Sequence, residues 1–111
     1  MGGGWILGIE STAHTFSFGA VSEDGTPIPS ASSIIRPLEG GIHPREAADH
    51  HSEISGELLS RLLSEQQLSM ENLIGVAFSQ GPGLGPCLRV GASVARAIST
   101  SRNVPLFGVN H

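Results

Sequence analysis

The sequence contains no lysine. All six cations are arginine, against ten Asp and Glu, and the formal net charge is −4. A chain with that balance has no general attraction for nucleic acid, so any contact with RNA requires a local patch or a basic partner. A single cysteine, Cys87, excludes an internal disulfide framework and suits a reducing cytosol. No stretch approaches the ~18 apolar residues of a membrane span, and no basic-then-apolar leader opens the chain. The opening "MGGGW" lacks the rest of a myristoylation pattern. "HHSE" (50–53) is not the H-E-x-x-H order of a zinc protease, and neither GxGxxG nor GxxxxGK[ST] occurs.

What is present suits one modest core: 111 residues, 39% of them apolar, with 15 glycines and only 14% charged residues. "WILGIE" (5–10) reads as a buried strand. "TFSFGAVSE" (15–23) alternates Phe16, Phe18 and Ala20 against Thr15, Ser17 and Gly19, the pattern of a half-buried strand. "DGT" (24–26) is a hairpin turn, and "PIPSASSIIR" (27–36) is a third strand whose two prolines suit an edge or a strand start. A helix is predicted over 45–65, with Pro44 at its first position and Ala47, His51, Ile54, Leu58 and Leu62 on one face. Leu59 and Leu63 lie beside that face. "LIGVAFSQ" (73–80) has the continuous apolar run of a strand covered on both faces. The glycine-rich "GPGLGP" (81–86) leads into a second helix over 87–102, whose Gly91, Ala92, Ala95 and Ala97 allow close approach of another element. "VPLFGV" (104–109) is the last strand.

The order β-β-β-α-β-α-β predicts an α/β layered domain: a mixed five-stranded sheet with two main helices. Ligands gather at the carboxyl ends of strands in such sheets. Those ends carry Glu10, the loop 81–85, and Asn110 with His111. By spacing alone His111 is an ordinary terminal histidine. His50 and Glu53 are spaced to share an ion on a helix, but a packed His51 and a solvated His50 are the simpler reading. Cys87 near a helix start has no evident base beside it and reads as structural filler.

"LGIEST", "GGIHPREAADHH", "AFSQGPGLGPCLRVG" and "PLFGVNH" together resemble the N-terminal part of the tRNA threonylcarbamoyladenosine synthase family, known as TsaD in bacteria and as the KEOPS catalytic subunit in archaea and eukaryotes. The "PREAADHH" helix looks like the archaeal and eukaryotic branch. The family has the ASKHA architecture of two RNase-H-like lobes around a nucleotide cleft. The resemblance therefore implies that residues 1–111 are the first lobe, truncated before its last helix and before the second lobe. It implies a transferase that moves threonylcarbamoyl from threonylcarbamoyl-AMP to the adenosine next to the tRNA anticodon, with this piece inactive by itself. It implies one iron or zinc ion per intact subunit, with His111 as one ligand, and ATP or threonylcarbamoyl-AMP as the nucleotide ligand.

Glu10, Ser11 and Thr12 match the hairpin that lines the cleft in ASKHA proteins; read without the family they are a polar turn. His14 departs from relatives that carry an acid there, so no acidic role is carried over. The implied partners are a small dimer-forming KEOPS subunit on the helical face, and a kinase-like subunit and tRNA through the intact protein, in the cytoplasm with no membrane. Ile54, Leu58, Leu59, Leu62 and Leu63 are the candidate partner surface, with a purely structural core as the alternative. Two rival readings remain. A non-catalytic TsaB-like scaffold would carry a "GPGSFTG" type of loop, and an ASKHA kinase lobe would carry Asp-x-Gly in its first hairpin.

Overall fold

A computed structural model describes residues 3–11, 15–34, 44–82 and 85–110; for 15, 30–34 and 44–53 it describes the backbone only. Five strands and two helices follow the predicted order: β1 (Trp5–Glu10), β2 (Thr15–Ser22), β3 (Pro27–Ile34), α1 (Pro44–Gln66), β4 (Leu73–Gly81), α2 (Gly85–Arg102) and β5 (Leu106–Asn110). A short 3-10 turn, Met70–Asn72, capped by the Ser69 hydroxyl, links α1 to β4. The strands form one sheet in the order β3-β2-β1-β4-β5. β1–β2 and β2–β3 are antiparallel, whereas β1–β4 and β4–β5 are parallel.

Local chemistry explains the meander. The β2–β3 turn is closed by Ser22 N–H donating to Thr26 O, and Gly25 takes φ +92°, a value that an L side chain resists. Asp24 accepts from the Thr26 N–H at 3.0 Å and from the Ser22 hydroxyl. The Ser22 and Thr26 hydrogen bonds hold its carboxyl down at about 2. β3, with Pro27 and Pro29, lies at a sheet edge as its prolines predict.

The core lies between the sheet and the helix pair. Trp5, Leu7 and Ile9 of β1 and Phe16, Phe18 and Ala20 of β2 point to the same side and meet Leu58, Leu62, Val76 and Ala95. Phe16 and Phe18 pack edge to face, with ring centroids 5.2 Å apart. The Trp5 indole N–H donates to Ser69 O at 2.8 Å, pinning the start of β1 to the α1–β4 connection.

Two sequence expectations change. β4 reads as covered on both faces, but within the described residues only one face is covered. Both crossovers step the same way along the sheet, so crossovers of one hand put both helices on one side, where they touch. Phe107 and Val109 are left about half exposed, at 52% and 50%, and Ile74 and Val21 are also exposed. Leu58 and Leu62, read as partner-facing, are each 1% exposed and belong to the core; side chains so enclosed offer no surface to a second protein. Ile54, Leu59 and Leu63 are partly buried and pack against that core.

Leu58→Ala is expected to cost about 2–5 kcal/mol, the range for removing a fully enclosed leucine. A urea melt checks this, with the half-buried Leu63→Ala losing less.

Candidate functional site

Parallel pairing of β1, β4 and β5 sets their carboxyl ends side by side. Ile9 pairs with Phe78 one position before Glu10, and Gly81 pairs with Asn110. The three segments that the sequence assigns to one rim are therefore neighbours. On the uncovered face at this rim lies an open depression of about 350 Å³, lined by Gly8, Glu10, Ser17, Gly19, Ser79 and Asn110 among others. Glycines at its floor leave room for a ligand or another backbone to come close.

Ser79 was not singled out from the sequence. It is 9% exposed, and its Oγ has no hydrogen-bond partner among the described residues. Buried hydroxyls are nearly always paired, so an unpaired one facing a depression is a candidate ligand-facing group. The signal was present in "LIGVAFSQ": a serine interrupts an otherwise apolar run just before the glycine loop.

Ser11 takes a different place from the one its sequence context suggests. Its hydroxyl is 1% exposed and donates to the Cys87 carbonyl at 2.9 Å, joining the end of β1 to the first turn of α2. The hydroxyl is already committed, so what Ser11 offers a ligand is limited to its backbone. Close packing makes the contact possible: a Cβ at Gly91 would overlap the Ser11 Oγ. Here the small residues of α2 admit a strand end.

Gly81 closes β4 with φ +134°, the positive value expected for the strand-to-helix connection. Gly85 opens α2; Gly83 lies outside the described residues. Cys87 is fully buried, and burial pushes its thiol up, opposite to the lowering that a helix start favours. A raised, enclosed thiol is a poor nucleophile, which supports the structural reading of Cys87.

Thr12, His14, His43 and His111 lie outside the described residues, as do the side chains of His50, His51 and Glu53. Among the described residues no group of three His, Cys, Asp or Glu is placed to hold a metal ion, so the described rim does not by itself fit one. What it offers is a carboxylate, a buried hydroxyl and an exposed amide, a set suited to binding and orienting a polar ligand. No described helix is long and apolar enough to cross a membrane.

Comparison with known proteins adds two kinds of likeness. A family model described as TsaD, tRNA N6-adenosine threonylcarbamoyltransferase, matches residues 29–111. A tRNA N6-adenosine threonylcarbamoyltransferase of Ignicoccus hospitalis is 50% identical over 107 residues, covering 96% of this chain and 32% of the relative. The chain thus spans about a third of the length of the curated relatives it matches. Among solved structures, YeaZ from Pseudomonas aeruginosa superposes with TM-score 0.76 at 19% identity, over 96% of this chain and 44% of that one. RuvC of T. thermophilus bound to a Holliday junction superposes with TM-score 0.58 at 13% identity, over 96% and 64%. Identities this low carry the fold alone, an RNase-H-like one.

Gly91→Ala is expected to destabilise by about 1–3 kcal/mol through overpacking against Ser11. Adding Ser11→Ala removes the overlapped atom, so the double variant should melt above the Gly91→Ala single variant. A thermal-melt double-mutant cycle checks this coupling.

Proposed function

The chain belongs to the tRNA N6-adenosine threonylcarbamoyltransferase family, and we propose that it forms the first lobe of an enzyme that transfers threonylcarbamoyl from threonylcarbamoyl-AMP to the adenosine next to the tRNA anticodon. The observation that carries this reading is the family match over 29–111, which includes both the 81–86 loop and the β5 rim. In the reaction the exocyclic amine of the adenosine attacks the carbamoyl carbon. The new C–N bond forms as the bond to the phosphate oxygen breaks, AMP leaves, and the amine gives up a proton.

This chain's part is to bind and orient. The backbone at Ser11 and the N-terminus of α2 present N–H groups to phosphate. Glu10 and Ser79 face the depression beside them and hydrogen-bond polar groups of the substrate. His111 follows Asn110 at the rim, and we assign it as one ligand of an iron or zinc ion whose remaining ligands come from outside this chain. A bound metal supplies charge stabilisation and a template. Solitary, reduced Cys87 supports a cytoplasmic setting.

With unmodified tRNA and threonylcarbamoyl-AMP, the protein at the length of its relatives, with its partner subunits, is expected to form threonylcarbamoyladenosine, detected by mass spectrometry. His111→Ala is expected to abolish it, and residues 1–111 alone to give none. Product from residues 1–111 alone, or none from the longer protein, overturns the reading.

The helix pair supplies the partner surface. Gly56, Ser60 and Ser64 lie at four-residue spacing on the exposed side of α1, next to half-buried Leu59 and Leu63. Such a strip lets a partner helix approach closely, and we assign it to the small dimer-forming KEOPS subunit in place of the enclosed Leu58 and Leu62. The kinase-like subunit is reached through the rest of the intact protein. Ser60→Arg is expected to abolish capture of the small subunit while leaving the melting temperature unchanged. Undiminished capture removes the assignment.

A further inference from the structure

Among the described residues the two most exposed large apolar side chains are Phe107 and Val109, and both belong to β5. β5 stands last in the sheet order. One of its sides pairs with β4, and no strand lies along the other among the described residues. Proteins usually guard such an edge with charged side chains, and Leu106–Asn110 has none.

The direction of the backbone groups along β5 follows from one hydrogen bond. Val76 N–H donates to Pro105 O at 3.0 Å, so that carbonyl points towards β4. Backbone groups alternate along a strand, so those of Phe107 and Val109 also turn inward. Those of Leu106, Gly108 and Asn110 turn outward, away from the sheet.

We infer that β5 pairs antiparallel with β5 of a second copy of this chain, about a two-fold axis at Gly108. In that register Gly108 faces Gly108, and Leu106 faces Asn110 of the second copy. In each of these pairs the outward N–H of one strand meets the outward carbonyl of the other. Phe107 stands across from Val109 on both sides of the axis, and an aromatic opposite a β-branched residue is a favourable cross-strand pair. Any extended segment satisfies an open ladder, but the match of Phe107 to Val109 on either side of a glycine selects the same strand. Charge favours the same arrangement. Arg102 closes α2 shortly before β5, and Glu10 lies at the rim beyond the other end of β5. Antiparallel pairing turns the arginine end of one copy towards the acidic rim of the other, whereas parallel pairing sets like ends together. β3, with its two prolines, becomes the outer strand at both ends of the joined sheet, so the assembly closes at two copies. The apolar contribution is the exposed half of two phenylalanines, each ~200 Å² in full, and of two valines. With one short ladder this stays below the ~1,600 Å² of a standard interface, so the pairing is reversible, with Kd in the range of about 10 µM to 1 mM.

The test is sedimentation equilibrium of the chain from about 5 µM to about 1 mM, which spans that range. The wild-type chain is expected to pass from monomer to dimer as concentration rises, and Phe107→Glu or Val109→Arg alone to weaken the dimer about tenfold or more. The double variant Phe107→Glu/Val109→Arg sets opposite charges across the strand pair on both sides of the axis. It is expected to regain the dimer at low salt and to lose it as salt is added. Ser60→Arg, on the helix side, is expected to dimerise like wild type. The substituted positions are exposed, and melting temperatures of dilute samples confirm folding. A wild-type chain that stays monomeric throughout, an undiminished dimer in both single variants, no recovery in the double variant, or a dimer lost in Ser60→Arg overturns the pairing. The inference does not depend on the transferase reading, and product formation by the longer protein tests that reading separately.

Discussion

Everything at the rim depends on how closely α2 approaches the end of β1. The Ser11 hydroxyl reaches the Cys87 carbonyl only because residue 91 has no side chain. That one buried hydrogen bond fixes two things together. It sets where β1 ends, and so where Glu10 lies. It also sets where α2 begins, and so where the glycine-rich connection presents its backbone. A carbonyl in the first turn of a helix is normally committed to the ladder, and the serine shares its remaining lone pair. Displacing α2 by the width of a methyl group would disturb the end of β1 and the start of α2 at once.

The parallel half of the sheet supplies the other constraint. Antiparallel strands send successive ends to opposite rims, but β1, β4 and β5 run the same way and bring their three carboxyl ends to one place. The depression is shallow because one side of the sheet is uncovered in the described residues and its centre is built from Gly8, Gly19 and Ala77. Position and shape both follow from strand direction and side-chain size, before any particular chemistry is considered.

Much of this was legible in the sequence. Alternation in "TFSF", the "DGT" turn and the prolines of β3 specify the meander because each acts locally. The five strands and two helices fall where periodicity puts them. The roles of individual side chains were less legible, because they depend on contacts between distant segments. Ser11 is separated by 76 residues from the carbonyl it meets, and no local pattern announces that pairing. Leu58 and Leu62 share an apolar stripe with Leu59 and Leu63, and only the direction of the sheet decides which pair is enclosed. Ser79 reads as the end of an apolar run until the neighbouring strands place it, with no partner among the described residues, in the same depression as Glu10.

The two margins of the sheet are not equivalent. β3 carries Pro27 and Pro29, and a proline has no N–H to offer an incoming strand, so that margin is blunted. β5 has no proline among Leu106–Asn110 and shows Phe107 and Val109 on its open face. Any further strand, from whatever source, meets a closed border on one side and a ready hydrogen-bonding ladder on the other. The sheet therefore has a direction of growth, from β3 towards β5, across the half whose carboxyl ends form the rim.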